Sequence, residues 1–206
     1  MFSKRGFSAV SVRDICYAVG VKESALYKHF PSKQAVFDTI VENYGRMSDE
    51  FMGGIGAMDS GDMSVMAASA DRYTHMSDEE FMRIGSSVLT DFLMRPEAMQ
   101  FWRMISIERC SDPNMAEYYH RQLFEIPMQF QNQLFGMLIA NGAMRDIDPA
   151  VLALEFYSPL LMLYTWMLPF QPGDEVFTKA LALAQQHMTH FRRMYAVKDK
   201  EEPDNE

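Results

Sequence analysis

Residues 11–33, SVRDICYAVGVKESALYKHFPSK, gather hydroxyls, cations and small side chains at spacings that suit recognition of a polyanion without bond-making. Lys22, Glu23, Ser24, Ala25, Tyr27, Lys28 and His29 make up the outward face of one short helical stretch. Its N-terminal end is small and polar, which lets a backbone approach the major groove of DNA. There Ala25 can meet a thymine methyl, and Ser24 can donate or accept a hydrogen bond. Tyr27, Lys28 and His29 are better placed for phosphate oxygens, which position a protein on the duplex without reading it. Lys33 opens the next helix, where its ammonium and the unpaired N–H groups of the helix end both favour an anion. Each residue also has a plainer alternative: Tyr27 as a half-buried packing aromatic, His29 as a helix-end cap, Lys33 as a solvated lysine.

Elsewhere the sequence is poor in bond-making chemistry. It has no nucleophile elbow, phosphate loop, HExxH motif or paired carboxylates, and its five histidines are scattered. An enzyme is therefore not expected, nor a metal or cofactor. The two cysteines, Cys16 and Cys110, lack metal-ligand spacing and read as reduced, partly buried thiols of a cytoplasmic protein. No secretory signal is read at the N-terminus. The formal net charge of −9 would argue against nucleic acid, but its distribution reverses that inference. Residues 1–33 hold six cations and two acids, a balance of +4, which leaves −13 for the remainder. Such a split suits a small DNA-facing module on an acidic body that phosphates repel.

Two short helices must carry these residues. Val12, Ile15, Cys16 and Val19 fall on one face of a helix at about 12–19. Gly20 permits a sharp turn through positive φ, and Val21 is placed to plug the corner. Leu26 and Phe30 face inward from a second helix at about 23–29, giving a helix-turn-helix. The rest of the chain also reads as helix, with no convincing period-2 strand. Ser11 with Asp14 is a near capping box, and Ser77 with Glu80 a full one. Ser32, Asp112-Pro113 and Asp148-Pro149 mark further helix starts. The expected helices are a remnant at 1–4, then 33–52, 63–74, 78–94, 97–110, 113–141, 149–170 and 174–195. Gly53, Gly54, Gly56 and Gly61 are read as a loop, and the charged end 198–206 as disordered.

The pattern GVxxxxLYxHFxxK, here Gly20, Val21, Leu26, Tyr27, His29, Phe30 and Lys33, resembles the DNA-binding domain of the TetR (tetracycline-repressor-like) family. The similarity covers about residues 2–44. It implies that Ser11, Arg13, Tyr27, His29 and Lys33 contact phosphates, with Arg13 reaching a base in some relatives. It also implies that positions 22–25 and 28 carry much of the base reading. Residues 1–7 match only the last turn of the family's first helix and the loop after it, so either the start is assigned too late or the first helix is truncated, and a missing helix would uncover Ile15, Val19 and Phe30.

The resulting expectation is an all-α chain. A helix-turn-helix DNA-binding domain at 1–46 precedes a helical ligand-binding and dimerisation domain at 47–197, with an acidic tail at 198–206. Helix 149–170 is apolar around nearly its whole circumference, so it must be covered on all sides. A membrane span is the minor reading, because Glu155 and Pro159 interrupt the run. The favoured cover is the chain's own core on one side and a twin subunit on the other. TetR-like proteins dimerise through their last two long helices, here 149–170 and 174–195. Such a dimer would present two reading heads to a palindromic double-stranded operator.

Methionines cluster with aromatics at 81–82, 92–94, 99–104, 128–130 and 135–138, and Pro127 and Pro159 are expected to kink their helices. Together these suggest a cavity for an apolar or amphipathic effector, with an ordinary methionine-rich core as the alternative. Candidate cavity residues are Trp102, Arg103, Glu108, Tyr118, His120 and Tyr157. Glu108 also has a structural reading, as a cap or a partner of Arg109 or Arg121. The function expected is a repressor released by a small molecule. The competing function is an architectural or partner-recruiting DNA-binding protein with a filled core.

Overall fold

The computed structural model describes residues 1–55, 63–171 and 173–197. Its helices are α1 (Phe2–Arg5), α2 (Val12–Val19), α3 (Glu23–Leu26), α4 (Lys33–Ile55), α5 (Met63–Thr74), α6 (Asp78–Ser87), α7 (Pro96–Glu108), α8 (Pro113–His120), α9 (Ile126–Ala140), α10 (Pro149–Met167) and α11 (Glu175–Tyr195). A π-helical turn at Val88–Leu93 follows α6, and another at Arg121–Glu125 joins α8 to α9. The chain is all-helical, as its sequence pattern predicts. Among the described residues the exception is one isolated antiparallel bridge between Met144 and Ala196, which stitches the last described residues to the loop after α9.

Side chains set most of the helix starts. Ser11 Oγ accepts from the Asp14 N–H at 3.1 Å while the Asp14 carboxylate accepts from the Ser11 N–H at 2.9 Å. The near capping box is thus complete. Ser77 caps the Glu80 N–H at 3.1 Å, but the box expected there does not close, because the Glu80 carboxylate pairs with Arg72 at 3.1 Å instead. Ser32, Asp112 and Asp148 accept from the N–H groups of Ala35, Asn114 and Ala150. Gly20 takes the left-handed conformation, φ 72°, that the turn requires.

Three expectations are corrected. Helix α3 ends at Leu26 and continues to Phe30 only as hydrogen-bonded turns, because Pro31 bars the residue before it from helical geometry. Gly53 and Gly54 belong to α4 and not to a loop, since two glycines cost a long helix only about 1 kcal/mol each. Gly56, Gly61 and the tail from 198 lie outside the described residues. Val21 does not plug the corner: it is 42% exposed, and Val19 beside it is 62% exposed. Ile15 and Phe30 are half-buried.

The core forms two apolar clusters. One joins α1, α4, the first π turn, α7, α10 and α11 around Phe92, Met99, Ile105 and Tyr164. The other lies between α5, α9, α10 and α11 around Leu134, Phe135, Leu152 and Phe191. Helix α10 packs most extensively on α9 and α11. Among the described residues it is the one helix long and apolar enough to cross a membrane. Its buried side carries Leu152, Ala153, Leu163 and Tyr164, while Val151, Leu154, Met162 and Trp166 stand exposed. Cys16 is buried, and Cys110 is exposed and not partly buried as expected.

Candidate nucleic-acid interface and helical-body cavity

The reading head is built from α2 and α3 on the first turns of α4. Cys16, Leu26, Phe37 and Val10 are buried beneath it. Lys22, Ser24, Tyr27, Lys28 and His29 face solvent, with Tyr27 47% exposed, while Glu23 and Ala25 are half-buried. The exposed side therefore offers two lysines, a histidine, a serine and a phenol with no intramolecular salt bridge among them. Arg13, on α2, is exposed and reaches across to Glu23 on α3, Nε to Oε1 3.2 Å. That pair aligns the two helices and offsets the one acid on the reading face. Ser11 is exposed, although its oxygen is engaged in the α2 cap. Asp14, in the same box, is held below the usual carboxylate range by the Ser11 backbone and hydroxyl bonds, with Arg5 adding to the effect.

Lys33 does something the sequence does not reveal. Its ammonium donates to the carbonyls of Phe7 and Val10 at 2.7 and 2.8 Å and sits 4.1 Å over the Phe7 ring. Two of its three protons are thereby engaged, and one is left for an external anion. Tyr17, 90% exposed on α2, is the most exposed large apolar side chain of the described residues and carried no expectation. Its signal in the sequence was an aromatic displaced from the Val12–Cys16 stripe.

The body holds a cavity of about 580 Å³, within the range of small-molecule sites. It runs between the two core clusters and is lined from α4, α6, α9, α10 and α11. Of the six candidate residues it brings together Trp102 and Tyr157. The other four are elsewhere, each for a physical reason. Arg103 donates to the carbonyls of Leu168 and Phe170, satisfying the otherwise open C-terminal end of α10. Glu108, 6% exposed, accepts the Phe7 N–H at 2.6 Å and pairs with neither Arg109 nor Arg121. Tyr118 packs on the rings of Phe101 and Trp102, and burial pushes its hydroxyl up to about 12, with Asp49 adding to the shift. His120 is exposed, stacks on Phe124 and pairs with Glu125 at 3.2 Å.

The walls are less methionine-rich than expected. Met52, Met144 and Met188 line the cavity, whereas Met99 and Met104 are ordinary core. The remainder is mostly aromatic and aliphatic, with Asp49 and Arg121 as exposed charges. Sequence reasoning missed Tyr44 and Tyr164. Both sit on faces that periodicity assigns to core, and nothing in a periodic pattern distinguishes core from cavity wall. Tyr44 accepts the Trp102 indole N–H at 2.7 Å and stacks on Phe101 at 3.8 Å.

The architecture is a helix-turn-helix head on an all-helical body with a ligand-sized cavity. Residues 1–40 match the profile of the family described as "Bacterial regulatory proteins, tetR family". The likeness to that family is thus one of the head, residues 1–40. The head is 41% identical over 44 residues to the HTH-type transcriptional repressor KstR2 of Rhodococcus jostii (strain RHA1), a match spanning 21% of this chain and 22% of that protein. Over its whole length the chain shares the fold of a TetR-family transcriptional regulator from Mesorhizobium loti, at TM-score 0.62, 16% identity and coverage of 95% and 91% of the two chains. It shares it also with a transcriptional regulator from Saccharomonospora viridis solved in complex with choline, at TM-score 0.60, 17% identity and coverage of 96% and 92%.

Proposed function

We propose that the protein is a cytoplasmic homodimeric repressor that binds a palindromic operator and leaves it when an apolar or amphipathic small molecule fills the body. One observation carries this reading: an exposed, cationic recognition face stands on an acidic body that encloses a cavity. The cavity favours an effector over the architectural alternative, which would have a filled core. The likeness of the head to a repressor supports repression. In this reading Ser11, Arg13, Tyr27, His29 and the remaining proton of Lys33 meet phosphates, and residues 22–25 with Lys28 read bases. Effector binding lowers DNA affinity by the coupling free energy between the two sites, about 1–3 kcal/mol.

The test is binding of the protein to DNA from upstream of its own gene, followed by fluorescence anisotropy across a salt series. Specific binding should weaken steeply with salt. Tyr27→Ala should weaken it about tenfold while leaving the helical content intact. Lys28→Ala lowers the salt slope by about 1 if its ammonium meets a phosphate, and relaxes base preference at one position if it reads a base. Indifference of both variants, or equal affinity for unrelated DNA, rejects the reading.

A further inference from the structure

The cavity's chemistry narrows what can fill it, an inference that rests on reading the cavity as the effector site. Its lining extends from Tyr44 and Trp102, near the head, to Met144 and Val197, where the chain's end is stitched to the loop after α9. That course between two separate core clusters suits an elongated molecule more than a compact one. Its charged lining residues give no ion a buried partner. Asp49 and Arg121 are exposed, and Arg192 is already bound to Asp78 and to the Met76 carbonyl. A ligand charge carried inside would therefore lose its hydration with nothing to replace it.

Among the described residues one fully buried side-chain polar atom is unanswered, and it belongs to this wall. Tyr164 lines the cavity and is only 2% exposed, and its hydroxyl has no hydrogen-bond partner among the described residues. Tyr44 lines the same cavity. The Tyr44 oxygen accepts from Trp102, which leaves its own proton to donate. Of the two other phenols in the wall, Tyr157 donates to the Leu123 carbonyl at 2.9 Å and is not available, and Tyr73 stands on α5. Arg103 also acts on Tyr164 electrostatically, but its guanidinium is held by the Leu168 and Phe170 carbonyls. Burial keeps the Tyr164 and Tyr44 hydroxyls well above their ordinary pKa, so both remain protonated donors.

We propose that the effector is an elongated, uncharged amphiphile with one acceptor oxygen, of the long-chain ketone or ester class, whose oxygen takes the proton of the Tyr164 hydroxyl with Tyr44 as the second donor. A buried donor left unmade is costly, and an acceptor that reaches it is selected over a hydrocarbon of equal length.

The experiment compares 2-decanone, decane and decanoate by ligand-induced shift in melting temperature of the full chain, which reads affinity through mass action. The native protein should bind 2-decanone about five- to tenfold more tightly than decane, the difference one net hydrogen bond supplies, and decanoate more weakly than 2-decanone. Tyr164→Phe removes a hydroxyl that bonds no described residue, so the unliganded variant should melt at or above the native temperature. It should bind decane as before and lose its preference for the ketone. Equal binding of ketone and alkane by the native protein, or an unchanged preference in Tyr164→Phe, overturns the anchor while leaving the cavity as an effector site. Tighter binding of decanoate overturns the uncharged class. Failure of all three to bind overturns both the anchor and the effector reading.

Discussion

At the scale of single residues, Phe7 is the point where head and body meet. Its N–H donates to the Glu108 carboxylate of α7, and its carbonyl accepts from the Lys33 ammonium of α4. Its ring packs against Phe2 and Phe37 at 5.6 and 5.3 Å between centroids. Glu108 is one of the two polar residues that are buried among those described. Glu108→Ala should leave the Phe7 N–H unpaired in a dry site and destabilise the protein by about 1–3 kcal/mol. Glu108→Gln keeps an acceptor and should recover most of that loss. Amide hydrogen exchange at Phe7 should accelerate in the Ala variant and not in the Gln variant, and equal exchange in both would dismiss the contact as incidental. The sequence marks Glu108 as an acid amid apolar neighbours but does not reveal its partner, a backbone N–H 101 residues away. The backbone partners of Lys33 are hidden from the sequence for the same reason. A lysine at a helix start is legible, whereas the carbonyls it gathers come from a loop whose path only the fold determines.

At the scale of elements, the helices are legible because their starts are written locally. Asp112-Pro113 and Asp148-Pro149 each supply a cap and a proline where no N–H is needed, and α8 and α10 begin there. The π turns are not legible, because they depend on how a helix accommodates a strain set by its neighbours. The turn at Arg121–Glu125 lies immediately before Pro127, whose ring denies Leu123 the N–H it would ordinarily accept four residues on. The Tyr157 hydroxyl of α10 donates to that carbonyl instead. So a proline in one helix fixes the role of a tyrosine in the next, and in the cavity wall between them. Tyr157→Phe should cost about 1–3 kcal/mol by leaving Leu123 unanswered. In a Pro127→Ala background, where a backbone N–H is restored, the same change should cost much less. A double-mutant cycle in urea measures the difference, and strict additivity would break the link between the two residues.

At the scale of the whole molecule, the unresolved demand is the outer face of α10 and α11. Val151, Leu154, Met162 and Trp166 recur at helical spacing along α10, and Leu183 and Met194 stand exposed on α11. Leu154 and Met162 are 56% and 59% exposed, so charging them harms no internal packing. A face of this kind on both helices suits an isologous two-fold contact, in which each subunit covers the other's stripe. In the proposed dimer it would also set the distance between two reading heads, which must match half-sites about 34 Å apart. A double variant, Leu154→Glu with Met162→Glu, would set four like charges close together across the two-fold axis. Sedimentation should find the native chain dimeric and the double variant monomeric at micromolar concentration, with helical content unchanged by circular dichroism. Operator affinity should then fall by about 10²–10⁴, because a monomer loses the effective concentration that its twin supplies to the second half-site. Binding to an isolated half-site should be preserved, since the head is untouched. A variant that stays dimeric would place the subunit contact on another surface. A monomer that holds the full operator as tightly as the native protein would show that pairing of the heads is not what gives the protein its grip.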